Sequence, residues 1–191
     1  TTTRASLSEH DAQATGGLTL WPILSGDGRY VACTSYATNM VEGDTNSLGD
    51  VFVRDLRMHA RSEVSKHSGA VVGESGAPRI GGDGRYVVFE STDPTLVAED
   101  TNGKSDIFLF DRVTQMTTRM SVASGGLQAN GNSYAPDISG DGRYIVFDSD
   151  ATNLVSGDTN GEADVFVHDR LLATTTRLSV SGSGEQARDA A

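Results

Sequence analysis

Apolar residues in this chain come in short runs bounded by glycine, aspartate and proline, and the runs recur. Arg29-Tyr30-Val31-Ala32-Cys33 follows an Asp-Gly pair, as do Arg85-Tyr86-Val87-Val88-Phe89 and Arg143-Tyr144-Ile145-Val146-Phe147. These read as short strands rich in β-branched and aromatic residues. Asp27, Asp83 and Asp141 lie 56 and 58 residues apart, and Asp44, Asp100 and Asp158 repeat both intervals. Such periodicity predicts three copies of one structural unit.

Each unit reads as four strands. Asp-Gly favours a two-residue type I′ turn, so a partner strand should precede each pair. That partner contains Pro22, Pro78 or Pro136. Proline cannot donate to a ladder, which places this strand at a sheet edge. A longer connection then leads to continuous apolar runs at Asp50–Asp55, Asp106–Asp111 and Asp164–Asp169, the pattern of an interior strand covered on both faces. Thr117–Val122 and Thr175–Val180 alternate polar and apolar residues, which suits an outer strand with one wet face. No helical period competes over a useful length.

Four-stranded antiparallel sheets covered on both faces by their neighbours are propeller blades. The predicted fold class is therefore all-β: three blades plus an extra outer strand, because Thr2–Leu7 repeats the outer-strand sequence of Thr175–Val180. A β-trefoil is the competing twelve-strand arrangement, but this repeat is long for it. The expected organisation is one repeat domain over 1–191: outer strand 1–15, blades 16–66, 67–124 and 125–182, and a tail 183–191. Propellers close with about four to eight blades. Three blades leave uncovered apolar faces, so the chain is expected to associate, either with itself or as part of a longer propeller. It begins at Thr1 without methionine, which reads as a processed or excised piece.

The series from Pro136 through Phe147 followed by Asp164–Asp169 resembles the WD-like repeat of TolB-type β-propellers, and the resemblance covers nearly the whole chain. It implies a propeller serving as a protein-binding platform, as a lid beside a peptidase domain, or as a module of a secreted bacterial protein. The first copy departs most, with Trp21 in place of Ala77 and Ala135, and Cys33 in place of phenylalanine.

Composition narrows the function. A net charge of −11 argues against nucleic acid and anionic membranes as partners. No apolar run approaches the roughly 20 residues of a membrane span. Cys33 is the single cysteine, which excludes an internal disulfide and reads as core. Acidic loops point instead to cations. The connections Asp44–Asp50, Asp100–Asp106 and Asp158–Asp164 place carboxylate or amide oxygens at their first, third and seventh positions. Asp44, Asn46, Asp50, Asp100, Asn102, Asp106, Asp158, Asn160, Glu162 and Asp164 are thus candidate Ca2+ ligands. The third loop is favoured, since Glu162 adds an oxygen where Lys104 adds a positive charge. The alternative is a metal-free turn, because Asp and Asn cap turns and Asn-Gly favours them.

His10, His59, His67 and His168 fall at non-equivalent positions and read as surface residues, without zinc-ligand spacing. No nucleophile elbow occurs, so no catalytic residue is assigned. Arg29, Arg85 and Arg143 beside Asp27, Asp83 and Asp141 read as local fasteners of the hairpin. The leading functional expectation is a non-enzymatic, calcium-stabilised module for protein interaction or self-association in an extracellular or periplasmic protein. The alternatives are a lectin-like propeller using Trp21, Tyr36 and Tyr134, and the excised propeller of a peptidase.

Overall fold

The computed structural model describes residues 2, 4–8, 10–42, 47–58, 60–65 and 73–186. They form three antiparallel sheets of four strands each. The first contains β1 (Thr19–Leu24), β2 (Tyr30–Ser35), β3 (Asp50–Asp55) and β4 (Arg61–Glu63), and the second β5 (Ser75–Ile80), β6 (Tyr86–Ser91), β7 (Asp106–Asp111) and β8 (Met116–Arg119). The third contains β9 (Ser133–Ile138), β10 (Tyr144–Ser149), β11 (Asp164–Asp169) and β12 (Thr174–Arg177). Strands pair in sequence order within every sheet, and the first strands of successive sheets are neighbours, β1 with β5 and β5 with β9. The fold is three consecutive blades of a β-propeller with their proline-bearing strands on the inner edge.

Those prolines sit at β-bulges. In β1, β5 and β9 the register slips around the proline, and the residue before it, Trp21, Ala77 or Ala135, has φ of 50, 48 or 51°. The bulge removes the proline from the ladder, where its missing N–H would leave a gap. The Asp-Gly hairpins form, but not through two-residue type I′ turns. The connection between β1 and β2 spans residues 25–29, closed by Gly28 N–H to Ser25 O at 2.9 Å, and of the Asp-Gly pair only Gly28 has a positive φ. Asp27 caps the loop instead, accepting from Ser25 Oγ at 2.6 Å and from the Arg29 amide at 3.0 Å. A short carboxylate that bonds its own backbone outweighs the I′ preference.

Blade-to-blade burial supplies the core. One cluster joins Ala32, Val51 and Val53 of the first blade to Val87, Phe89 and Phe108 of the second; another joins Val88, Ile107 and Leu109 to Ile145, Phe147 and Phe166 of the third. Every residue of β3 and β7 is buried, which accounts for their unbroken apolar runs. Cys33 belongs to a smaller cluster with Phe52 and Met40, and burial pushes its thiol up to about 11, so it serves as core.

A repeated interlock fixes the spacing of the blades. The Tyr30 ring is covered on one side by its neighbour Arg29 (4.8 Å to the centroid) and on another by Arg112 of the second blade (4.2 Å). Tyr86 is held likewise by Arg85 and by Arg170 of the third blade, at 4.7 and 4.1 Å. Cation–π contacts of this kind contribute about 0.5–2 kcal/mol. The crossing arginines also reach the turn beside the ring, Arg112 to Gly84 O at 2.7 Å and Arg170 to Gly142 O at 2.6 Å. Each tyrosine rests where a side chain on that glycine would project: a Cβ on Gly84 would meet Tyr30 at 2.0 Å, and one on Gly142 would meet Tyr86 at 2.3 Å.

Residues 4–8 carry the outer-strand sequence but form no strand. They turn back through a single bridge between Leu7 and Gln13, repeated by Val122 with Gln128 and by Val180 with Gln186.

Gly28 and Gly142 provide a matched test of the interlock. Both have positive φ, +70 and +74°, but a Cβ on Gly28 would meet nothing within 4 Å. Both alanine substitutions should cost about 1–2 kcal/mol of backbone strain, and Gly142→Ala should cost at least about 1 kcal/mol more for displacing a packed ring. Denaturant unfolding of the two variants reads the difference, and equal losses would contradict the interlock.

Candidate functional site

The acidic loops are built around arginine. In the second blade, β8 ends at Arg119, whose Nη1 lies 3.3 Å from Asp100 Oδ1, 3.3 Å from Asp106 Oδ2 and 2.6 Å from Gln128 Oε1. Its Nη2 donates to Glu99 O at 2.7 Å. In the third blade Arg177 Nη1 takes the same place, 3.1 Å from Asp158 Oδ1, 3.2 Å from Asp164 Oδ2 and 3.1 Å from Gln186 Oε1. Both guanidinium groups are buried with their carboxylates. A planar, permanently charged fork suits such a dry site better than a lysine would. A calcium ion bound between these carboxylates would have to displace the guanidinium.

Asparagine shapes the loop around that centre. Asn102 Oδ1 accepts from the Lys104 amide at 2.9 Å while its amide group donates to Asp106 Oδ2 at 2.8 Å and to Ala129 O at 3.0 Å. Asn160 makes the matching contacts to the Glu162 amide and Asp164 Oδ2, both at 3.3 Å. These are asparagine-capped turns. Ser121 and Ser179 donate to Asp106 Oδ1 and Asp164 Oδ1 from the residues just past the outer strands. Gln128 and Gln186 then close the loop by donating to Thr101 Oγ1 and Thr159 Oγ1 at 2.6 and 2.9 Å.

The structure thus brings together Asp100, Asn102 and Asp106 in one loop, and Asp158, Asn160 and Asp164 in another. Glu162 contributes its amide to the third loop, and its side chain is exposed. Of the first loop, Asp44 and Asn46 lie outside the described residues, while Asp50 is buried and accepts from Ser65 Oγ at 3.0 Å. The register is the same here, but the residue differs. Phe52 pairs with Glu63 where Phe108 pairs with Arg119 and Phe166 with Arg177, so the first blade has a glutamate in the arginine position. Among the described residues no group of three or more His, Cys, Asp or Glu side chains is arranged to hold a metal ion. Arg119, Arg177, Gln128 and Gln186 are the residues that loop-by-loop reading misses, although each pair recurs at 58 residues.

Burial pushes the carboxyls of Asp100 and Asp158 above their ordinary range, with Arg119 and Arg177 opposing the shift. A second carboxylate set behaves in the opposite way. Arg29, Arg85 and Arg143 pair not with the hairpin aspartates but with the last residue of the neighbouring interior strand: Arg29 Nη2 to Asp55 Oδ2 at 2.6 Å, Arg85 Nη2 to Asp111 Oδ2 at 2.8 Å, and Arg143 Nη2 to Asp169 Oδ2 at 2.7 Å. These arginine hydrogen bonds hold the three carboxyls down at about 2.

His168 is a correction. It is buried, its Nδ1 lies 2.9 Å from Thr175 Oγ1, and burial lowers its pKa. It occupies the β11 position held by Phe110 in β7 and Arg54 in β3, against the neighbouring blade rather than solvent. His59 and His67 lie outside the described residues, and His10 is exposed. Of the aromatics considered for ligand stacking, Trp21 and Tyr36 line one cavity of about 260 Å³ with Glu74 and Glu90. Tyr134 lies elsewhere, on β9, donating to Asp150 Oδ1 at 2.9 Å.

The third blade exposes an apolar surface at positions that are buried in the other two. Val165 and Leu178 are 39% and 49% exposed, whereas Ile107 and Met120 of the second blade are 0% and 4%, and Val51 and Val64 of the first are both 0%. Tyr144 is 40% exposed and stacks on Arg143, with no crossing arginine among the described residues. This is the face that in the first two blades is covered by the next blade.

No family model and no curated protein matches the chain. Solved structures do match. TolB from Acinetobacter baumannii aligns at 20% identity and a TM-score of 0.54, over 87% of this chain and 33% of that one. A putative TolB from Agrobacterium tumefaciens aligns at 17% and 0.55, over 86% and 50%. The β-propeller domain of the Trilobed protease from Pyrococcus furiosus aligns at 16% and 0.52, over 85% and 42%. The architecture is that of TolB-like β-propellers, and the chain spans a third to a half of the length of these structures.

Two measurements test the electrostatics. Arg119→Met should lose about 3–5 kcal/mol at neutral pH by stranding two buried carboxylates, and less in mild acid, where Asp100 takes up a proton readily. In the intact chain, the stability contributed by Asp55, Asp111 and Asp169 is present above their unfolded pKa near 3.8 and is lost as pH falls toward about 2. Urea midpoints measured from pH 5 to 2 should fall throughout that window. A midpoint independent of pH would contradict these pairings.

Proposed function

We propose that this chain is a non-enzymatic β-propeller module of an extracellular or periplasmic protein, and that it binds a protein surface through the uncovered face of its third blade. The observation that carries this reading is the exposure of Val165 and Leu178 at positions buried in both other blades. An apolar sheet face left in water favours association. The module reading is further supported by the buried polar side chains of the second and third loops, which are engaged with one another. The fold likeness agrees with it, because the chain is similar to the propeller portion of a protease as well as to TolB. The acidic charge of −11 favours a protein over a nucleic acid as partner.

Calcium has a narrower place in this proposal than the acidic loops suggest. Arginine already supplies the counter-charge in the second and third loops. The first loop, with Asp44, Asn46 and Asp50 in its sequence and Glu63 in the arginine register, is where calcium would stabilise the module. Thermal melts in millimolar calcium and in excess chelator should differ for the native chain, and Glu63→Arg should remove the difference. Identical melts of the native chain in the two buffers would overturn the calcium role.

Association is tested by substituting the exposed face. Leu178→Asp should shift the chain to a smaller species in light scattering at equal concentration, with unchanged far-ultraviolet circular dichroism. A native chain that stays monomeric up to high micromolar concentration would overturn self-association, and a pull-down unaffected by Leu178→Asp would overturn the face as the binding surface.

A further inference from the structure

We propose that the cavity between the first and second blades binds an alkylammonium group, carried either by a small free amine or by a lysine side chain. The cavity measures about 260 Å³ and lies where β1 and the end of β2 meet the start of β5 and the end of β6. Pockets that enclose drug-sized ligands hold about 300–1,000 Å³, so this one suits a single headgroup on a short chain. Its walls carry two aromatic rings, Trp21 and Tyr36, and two carboxylates, Glu74 and Glu90. Among the described residues its lining has no lysine, arginine or histidine.

The repeat supplies an internal control for these side chains. At the junction of the second and third blades the equivalent positions hold Ala77 for Trp21, Thr92 for Tyr36, Asn132 for Glu74 and Asp148 for Glu90. Tyr134 stands there in place of Gly76. Blades of this repeat therefore pack without the four groups. Trp21 is the clearest case, because its φ of 50° is a conformation that bulky side chains rarely adopt, and alanine meets the same bulge in the other two blades. Its indole is 52% exposed and belongs to no core cluster among the described residues.

The chemistry of the walls selects the ligand. Glycines let both rings lie close to the backbone: a Cβ on Gly76 would lie 3.3 Å from Trp21 Cζ3, and one on Gly49 would lie 3.0 Å from Tyr36 Cζ. Burial and the charge of Glu74, which accepts from the Tyr36 hydroxyl, push the Tyr36 pKa up, so the phenol stays neutral. Glu90 is anchored from the other side, its Oε2 accepting from the Ala135 amide at 3.2 Å. Thr34 Oγ1 is buried without a hydrogen-bond partner, and it would lie 3.6 Å from a Cβ on Gly76, so an unused acceptor adjoins that wall. An ammonium group gains from the negative face of an aromatic ring and donates its N–H groups to carboxylates, which only accept. A neutral sugar stacks on the rings but leaves both charges unmatched.

Trp21 is the single tryptophan of the chain, so its emission reports on the cavity directly. Titration of the native chain with n-butylammonium chloride, against equal sodium chloride, should change that emission saturably. Saturation by Nα-acetyl-lysine amide as well assigns the site to a lysine side chain, and saturation by butylammonium alone assigns it to a free amine. Glu74→Gln and Glu90→Gln keep an acceptor oxygen and remove the charge; each should weaken binding about threefold, and the two together about tenfold. A linear response of the native chain, or an unchanged affinity in the folded double variant, would overturn the proposal. Saturation by methyl glucoside and by neither ammonium probe would overturn it in favour of a saccharide. If the glutamine variants fail to fold, Trp21→Ala decides, since it places at the bulge the residue that the other blades already hold. Calorimetry should then show the heat of butylammonium binding lost, and undiminished heat would contradict the site.

Discussion

A sheet whose interior strands are apolar on both sides is stable only when something covers both sides. That constraint organises this protein. Within the chain it is met by stacking blades, so that Val51 and Val53 pack against Phe89 and Phe108, and Ile107 and Leu109 against Phe147 and Phe166. Apolar area alone would leave the stacking free to slide. Tyr30 and Tyr86, at the start of their second strands, prevent this by resting on the bare glycine of the next blade's turn, under an arginine that also bonds that turn. Repulsion sets the distance, and the cation sets the direction.

Electrostatics perform a parallel task on the outer side of each blade. In the second and third blades the loops between second and third strands carry two buried aspartates apiece, a costly arrangement unless a cation lies between them. Arg119 and Arg177 provide it from the outermost strand, tying the loop to the strand farthest along the blade. In the first blade that strand carries Glu63 instead. The inner side uses a different set, with Asp55, Asp111 and Asp169 bound to the arginines that follow the Asp-Gly turns. The two sets respond oppositely to acid, because burial dominates the aspartates of the loops and hydrogen bonding dominates the others.

Much of the fold was legible in the sequence. Proline in each first strand marked the inner edge, unbroken apolar runs marked the interior strands, and repetition at 56 and 58 residues gave the blade count. What escaped depends on contacts between units rather than within one. Arg112 and Arg170 act on tyrosines of the preceding blade, which no local motif shows. Asp-Gly suggested a type I′ turn because the preference of the pair was weighed without the capping oxygen of Asp27. The acidic loops suggested calcium because their oxygens are contiguous in sequence, while the arginines beside those of the second and third loops arrive from 13 residues downstream. His168 looked solvent-exposed for the same reason: its cover comes from the neighbouring blade.

The central claim, that the third blade is complete in itself but lacks the cover its neighbours have, is tested most directly by hydrogen exchange as a function of protein concentration. Amides of β10, β11 and β12 should exchange faster than their equivalents in β6, β7 and β8 in dilute solution, and should slow as concentration rises, while the second blade is unaffected. Equal protection of the two blades at every concentration would contradict the account.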